Sequence, residues 1–123
     1  TIGLLKSETK VSLEKTCKEL EPIAQVAVLV VGSTQPYSIE EYSIKLVEKW
    51  KVGYKGKDNG VVLIVAKNDR KVRIEIGRGL EDKLTDARAG QIINNGIVPN
   101  FKSGDFDKGV ISGINAIKKE ILK

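Results

Sequence analysis

The feature that most constrains the fold is an unbroken run of six apolar residues, VVLIVA at positions 61–66, which directly follows the polar turn KDNG at positions 57–60. A run of this length between turn residues is typical of a β-strand with both faces covered, as in the middle of an α/β sheet. We therefore expect residues 61–66 to form the central strand and the other elements to pack around it.

A second strand follows the first after a short charged turn at positions 67–71. Residues 72–76 (VRIEI) alternate apolar and charged side chains, which is the pattern of a strand with one face in water. Because a hairpin reverses direction, the end of this strand should return to the level at which the first strand began. Residues 77–82 (GRGLED) are therefore expected to lie beside Asp58 and Asn59.

The N-terminal part of the chain predicts a helix and a further buried strand. Ser7 is a candidate N-cap for a helix over residues 8–20. One face of this helix carries three apolar side chains, Leu13, Cys17 and Leu20. Residues 25–31 (QVAVLVV) then predict a strand that is apolar enough to be covered on both sides.

A crossover helix is predicted between the two buried strands. Ser38 and Glu41 have the spacing of a capping box. Apolar and aromatic side chains then repeat at helical spacing, at Ile39, Tyr42, Leu46 and Trp50. A strand, a helix and a strand in this order form a right-handed βαβ unit, so the strands at 25–31 and 61–66 should run parallel.

Two helices are predicted after the hairpin. Thr85 can cap the first, which carries Ala89, Ile92 and Ile93 and is expected to end before Pro99. The second begins near residues 105–107, and its apolar stripe consists of Val110, Ile114, Ile117 and Ile121. The predicted order is α-β-α-β-β-α-α, an α/β fold whose small mixed sheet combines a parallel βαβ unit with an antiparallel hairpin strand.

Composition limits the classes of function that are open. A chain of 123 residues suits one domain, residues 1–123. The net charge is +5, but the basic residues are spread along the chain and aromatic residues are scarce, so we expect no specific nucleic-acid binding. One cysteine rules out an internal disulfide and a cysteine-based zinc site, and the absence of histidine closes serine–histidine and histidine-phosphate chemistry.

Acidic residues on the two loops predict a metal site. The carboxylates are hard oxygen donors and the asparagine adds a carbonyl oxygen, a set that suits Ca²⁺ or Mg²⁺. The predicted ligands are Asp58, Asn59, Glu81, Asp82 and Asp86. The alternative is that the loop before the central strand only forms a turn and that Asp86 only stabilises a helix N-terminus.

Two further patterns bear on phosphate chemistry. Arg78, between two glycines, is the candidate for phosphate contact, although a Gly-x-Gly more often marks the end of a strand. The segment DFD at 105–107 imitates the nucleophile motif of aspartate-based phosphatases, but it opens a helix and is better explained by capping. Metal-assisted hydrolysis is the catalytic route left open, with Glu81 as the candidate catalytic residue that takes a proton.

Six segments in order resemble the TPM domain, a family that includes a thylakoid-lumen acid phosphatase and many bacterial envelope proteins. The matching segments are GLL at 3–5, SIEEY at 38–42, WKVG at 50–53, GKDNG at 56–60, IGRGLE at 76–81 and FKSGDF at 101–106. The resemblance implies a three-layer α/β/α sandwich and bound calcium or a similar ion at acidic loops. Thr1 stands where the family commonly has an aspartate that contributes to this site.

The resemblance also implies a location outside the cytoplasm, in the cell envelope, with a membrane anchor outside this segment. Two functions remain open at this point. One is a metal-binding, non-catalytic module that supports a membrane protein complex, which the lack of histidine and of a conventional nucleophile favours. The other is a metal-assisted acid phosphatase that acts on phosphate monoesters, which the plant member of the family suggests.

Overall fold

The computed structural model describes residues 7–20, 23–50 and 59–122 and gives the bounds of the helices and strands. In chain order these are α1 (Ser7–Leu20), β1 (Gln25–Val31), α2 (Ile39–Trp50), β2 (Gly60–Ala66), β3 (Lys71–Ile76), a 3₁₀ turn (Arg78–Leu80), α3 (Asp86–Ile92), a π-helical segment (Ile93–Ile97), α4 (Val98–Lys102) and α5 (Phe106–Ile121). The predicted order of elements is confirmed, with α4 and the π-helical segment added.

The three strands form one mixed sheet in the order β1-β2-β3. β1 runs parallel to β2, with Gln25 opposite Gly60 and Val31 opposite Ala66. β2 and β3 are antiparallel, with Val61 opposite Ile76. The predicted βαβ unit and hairpin are both confirmed, and β2 is the central strand.

Every residue of β2 is buried because helices cover both faces of the sheet. Val61, Leu63 and Val65 belong to the larger hydrophobic cluster, to which α1, α3 and α5 contribute. Val62, Ile64 and Ala66 belong to a smaller cluster with α2. Since successive side chains of a strand point to opposite faces, this alternation places α2 in one layer and the other helices in the opposite layer. The α/β/α sandwich is confirmed.

Short-range capping interactions start three of the helices as predicted. The backbone N–H of Glu41 donates to Ser38 Oγ at 3.1 Å, and the N–H of Ser38 returns to Glu41 Oε1 at 3.4 Å, which is a capping box. Thr85 caps α3 by accepting from the N–H of Arg88 at 3.1 Å. Asp105 caps α5 by accepting from the N–H of Lys108 at 3.1 Å, which confirms the capping interpretation of that motif.

The buried face of α1 differs slightly from the predicted stripe. Leu13 and Leu20 are buried as expected, but Cys17 is only half-buried. Thr9 and Thr16 complete the buried face instead. The Thr16 hydroxyl donates to the carbonyl of Ser12 at 3.2 Å, so burial leaves this polar group satisfied.

The helix after the hairpin ends before Pro99, as predicted, but Pro99 also opens a further short helix that was not predicted. After Ile92 the chain continues through the π-helical segment into α4, and Pro99 lies in the first turn of α4. The first N–H groups of a helix have no partner within it, so proline is tolerated there without loss of a hydrogen bond. The backbone N–H that Pro99 lacks would have been one of these unpartnered groups at the start of α4.

The crossover helix packs as predicted where its side chains are described. Ile39 and Leu46 are buried in the smaller cluster, and Tyr42 packs against it. Trp50 was predicted on the same face, but its side chain lies outside the described part of the structure. None of the described helices combines the length and apolarity that a membrane crossing requires.

Candidate functional site

The predicted metal site lies at the end of the sheet where β2 begins and β3 ends. The N–H of Gly77 donates to the carbonyl of Gly60 at 2.7 Å, which extends the antiparallel pairing past the last residue of β3. The return of the hairpin to this level is therefore confirmed. Asp58, which immediately precedes the first described residue of this loop, lies outside the described residues.

Asn59 joins the start of β2 to the connection between α1 and β1. Its side chain is buried, and its amide Nδ2 donates to the carbonyl of Ile23 at 2.8 Å. Its backbone carbonyl accepts from the N–H of Gln25 at 3.0 Å. The amide nitrogen of Asn59 is thus engaged in holding the fold, and its role as a cation ligand stays a prediction.

The acidic segment after β3 is held by two leucines. Leu80 and Leu84 are buried in the larger cluster, and the N–H of Leu84 donates to the carbonyl of Leu80 at 2.8 Å. Glu81 and Asp82 lie between them and are exposed. The buried leucines therefore fix a short turn whose carboxylates face solvent.

The remaining predicted residues flank this turn. Asp86 is exposed in the first turn of α3, where a carboxylate also interacts favourably with the helix dipole. Arg78 is exposed at the start of the 3₁₀ turn. Within residues 7–20, 23–50 and 59–122, no three acidic or cysteine side chains form a group that could hold a metal ion. Because Asp58 is not among these residues, the proposed ligand set itself stays a prediction.

A polar contact at the opposite, carboxyl end of β1 and β2 was not predicted from the sequence. The carboxylate of Asp69, in the turn between β2 and β3, accepts from the Ser33 hydroxyl at 2.9 Å and from the Thr34 N–H at 3.0 Å. The hydrogen bond from the Thr34 N–H, followed by that from Ser33, lowers the pKa of Asp69 below its ordinary value of 3.8. The loop after β1 is thereby tied to the hairpin turn.

An open groove of about 760 Å³ also lies at this end of the sheet. Its charged lining residues are Lys67, Arg70, Lys71, Lys102 and Glu40. The rest of its lining is mainly apolar and includes Ile39, Val65, Ala66, Val72, Ile93, Val98, Phe101 and Phe106. We call this feature the basic groove. Sequence reasoning missed it because its cations come from segments about thirty positions apart and meet only in the folded chain.

Aromatic contacts organise one wall of the basic groove. The rings of Phe101 and Phe106 stack with their centroids 4.6 Å apart. The ammonium nitrogen of Lys67 lies 4.9 Å from the centroid of Phe106, within the range of a cation–π interaction. An ammonium group and an apolar surface are therefore presented side by side.

Comparison with known proteins identifies a family and several similar structures. The family model described as TPM domain matches residues 1–120. No curated protein has a sequence that matches this chain closely. The solution NMR structure of the N-terminal domain of a protein from P. gingivalis is 29% identical and has a TM-score of 0.87, with 96% of this chain and 76% of that chain covered.

Two more distant structures share the fold. The BA42 protein of the psychrophilic bacterium Bizionia argentinensis is 20% identical, with a TM-score of 0.80 and coverage of 99% of this chain and 85% of that chain. The N-terminal domain of the cg2496 protein of Corynebacterium glutamicum is 14% identical, with a TM-score of 0.72 and coverage of 96% and 74%. At these identities the similarity shows the fold alone.

Proposed function

The chain belongs to the TPM domain family, and on that premise we propose that it is an extracytoplasmic module that binds a divalent cation and supports a membrane-associated protein complex. The observation that carries the cation-binding part is the hydrogen bond from the Gly77 N–H to the Gly60 carbonyl at 2.7 Å. This bond places Gly60, the first residue of β2, level with the start of the segment that carries Arg78, Glu81 and Asp82. The location and the membrane partner rest on the family resemblance.

The residues that would hold the cation are Asp58, Glu81, Asp82 and Asp86, with Asn59 as a further oxygen donor. Calcium and magnesium prefer oxygen ligands, and the exposed carboxylates of Glu81, Asp82 and Asp86 would supply them. Carboxylates that lie near one another repel, and a bound cation would remove that repulsion. Binding to the folded state alone should therefore stabilise the domain.

A calcium titration followed by thermal unfolding tests this proposal. The midpoint should rise with calcium, by an amount that corresponds to roughly 2.7 kcal/mol at a hundredfold excess over Kd. Asp58→Asn and Asp86→Asn should each remove most of the rise. Glu8→Gln, which removes an exposed carboxylate from α1, is the matched control and should leave the rise intact. A thermal unfolding midpoint that does not change with calcium, magnesium or manganese would contradict the proposal.

Turnover of para-nitrophenyl phosphate distinguishes the alternative function, a metal-assisted phosphatase, from a non-catalytic binding module. Arg78 would contact the phosphate, and Glu81 would accept a proton from the attacking water. Turnover that a chelator and Asp58→Asn both abolish would establish the phosphatase. Calcium-dependent stabilisation without turnover is the result expected of a binding module.

A further inference from the structure

We propose that the basic groove binds a peptide segment of a partner protein in which acidic side chains stand next to an aromatic or aliphatic one. The groove lies at the carboxyl end of β1 and β2, the end at which open α/β sheets usually bind ligands. It shares no residue with the proposed cation site at the other end of β2. The proposal therefore requires no bound ion, and its failure would leave the cation site untouched.

The charge of the groove indicates an acidic ligand. Its four cations, Lys67, Arg70, Lys71 and Lys102, are all exposed. Within the part of the chain that the structure describes, none of the four takes part in an ion pair. Among the lining residues that the structure describes, Glu40 is the one carboxylate, so positive charge dominates.

The carboxylate nearest in sequence to these cations is committed elsewhere. Asp69 belongs to the same turn as Lys67 and Arg70, but it accepts hydrogen bonds from Ser33 and Thr34 and does not line the groove. Asp69 is thus held by the loop after β1, although its charge also interacts with that of Lys71. Carboxylates supplied by a partner would complete the charge balance and would also steer its approach.

The apolar surface of the groove indicates that the ligand carries an apolar side chain as well as negative charge. Phe101 and Phe106 are stacked against each other, and Lys67 Nζ lies over the Phe106 ring, 4.9 Å from its centroid. An aromatic or aliphatic side chain of the partner could cover Phe101 and Phe106 while a neighbouring carboxylate meets Lys67 or Lys102. A planar anionic membrane would reach the exposed cations but would leave this concave apolar surface unfilled.

The probe for the test is the unlabelled pentapeptide acetyl-Glu-Asp-Phe-Asp-Glu-amide, titrated into the intact chain at low ionic strength and followed by NMR. We expect saturable binding, and backbone NMR shifts at residues of the groove. Binding should weaken as salt is added, because screening reduces the attraction between exposed charges. The peptide with serine in place of phenylalanine keeps the charge and should bind at least about fivefold more weakly.

Charge reversal locates the site. Lys71→Glu and Lys102→Glu should each weaken binding by about tenfold or more, since each removes an attraction and adds a repulsion. Lys119→Glu is the matched control: it makes the same charge change at an exposed position of α5, thirteen residues beyond Phe106 and outside the groove. It should change binding less than about twofold. Unchanged thermal midpoints of the variants would show that they remain folded.

Three results would overturn the proposal. The first is no binding of the peptide at millimolar concentration. The second is equal weakening by Lys119→Glu, which would show that only net charge matters. The third is binding to phosphatidylglycerol vesicles that Lys71→Glu and Lys102→Glu abolish while the peptide fails to bind, which would assign the groove to a membrane surface.

Discussion

The backbone N–H of Thr34 donates to the carboxylate of Asp69 at 3.0 Å and so connects the loop after β1 to the turn between β2 and β3. The Ser33 hydroxyl reaches both oxygens of the same carboxylate at 2.9 Å. One side chain thus holds two loops at the carboxyl end of the sheet, and it does so best when it is ionised.

The first prediction concerns the pH dependence of this contact. The pKa of Asp69 is lowered in the folded state, so its ionised form stabilises the fold above the ordinary value of 3.8, and this stabilisation is lost as the pH falls through the lowered folded value. Asp69→Asn should therefore be less stable than the native protein near neutral pH, and the difference should shrink in acid. Urea unfolding across this range measures it. A difference that grows as the pH falls would contradict this assignment.

A second prediction uses two helical glycines with opposite surroundings. A Cβ atom at Gly109 of α5 would lie 2.5 Å from Phe101 Cε1 and 3.1 Å from the carbonyl oxygen of Ile97, so Gly109→Ala should destabilise the domain by about 1 to 3 kcal/mol. At Gly90 of α3 a Cβ would meet nothing within 4 Å, so Gly90→Ala should stabilise it by about 0.4 to 1 kcal/mol. Urea unfolding of both variants measures the two signs, and the same sign for both would refute this packing.

A third prediction concerns the ion pair between α3 and α5. Arg88 Nε donates to the carboxylate of Glu120, whose side chain is only 7% exposed. Arg88→Ala should cost about 1 to 3 kcal/mol, because it removes a charged hydrogen-bond donor from a buried carboxylate. Glu19→Gln, which breaks the exposed pair with Lys118, is the control and should leave the unfolding midpoint unchanged. Equal losses for the two variants would show that burial of Glu120 does not matter.

A fourth prediction concerns Asp107, the second aspartate of the motif that imitates a phosphatase nucleophile. Its Oδ2 accepts from the buried Thr9 hydroxyl at 2.7 Å, which joins α5 to α1. Asp107→Ala should therefore cost about 1 kcal/mol of stability or more, because it removes the acceptor of the buried Thr9 hydroxyl. Asp107→Asn, which keeps an acceptor, should leave calcium-dependent stabilisation and any hydrolytic activity unchanged. Loss of activity in the Asn variant would instead revive an aspartyl-phosphate mechanism.

The features that the sequence predicted correctly depend on neighbours along the chain. The apolar run of β2, the alternation of β3 and the caps at Ser38, Thr85 and Asp105 are each encoded within a few residues. The third predicted helix does end before Pro99, but the short helix α4 was not predicted because proline was treated only as a stop. A proline in the first turn of a helix is equally compatible with its geometry.

The features of the candidate sites likewise include one that the local sequence predicted and two that it did not. Hairpin geometry alone predicted that Gly77 returns to the level of Gly60. The contact between Asp69 and Thr34 spans 35 positions, and the basic groove joins Lys67 to Lys102. Both depend on how loops and helices meet above the sheet. The charge pattern of the sequence predicted neither the Asp69–Thr34 contact nor the basic groove, because the lysines are distributed almost evenly along the sequence.

The length of strand β2 also fixes the distance between the two proposed binding sites. Its seven residues, all buried, set the two ends of the sheet roughly 20 Å apart, which is more than twice the distance over which charges are felt in physiological salt. Events at the two proposed sites should therefore be energetically independent and additive. Divalent cation concentration would govern one pole of the domain and ionic strength the other, so a single small fold could respond separately to two properties of the solution around it.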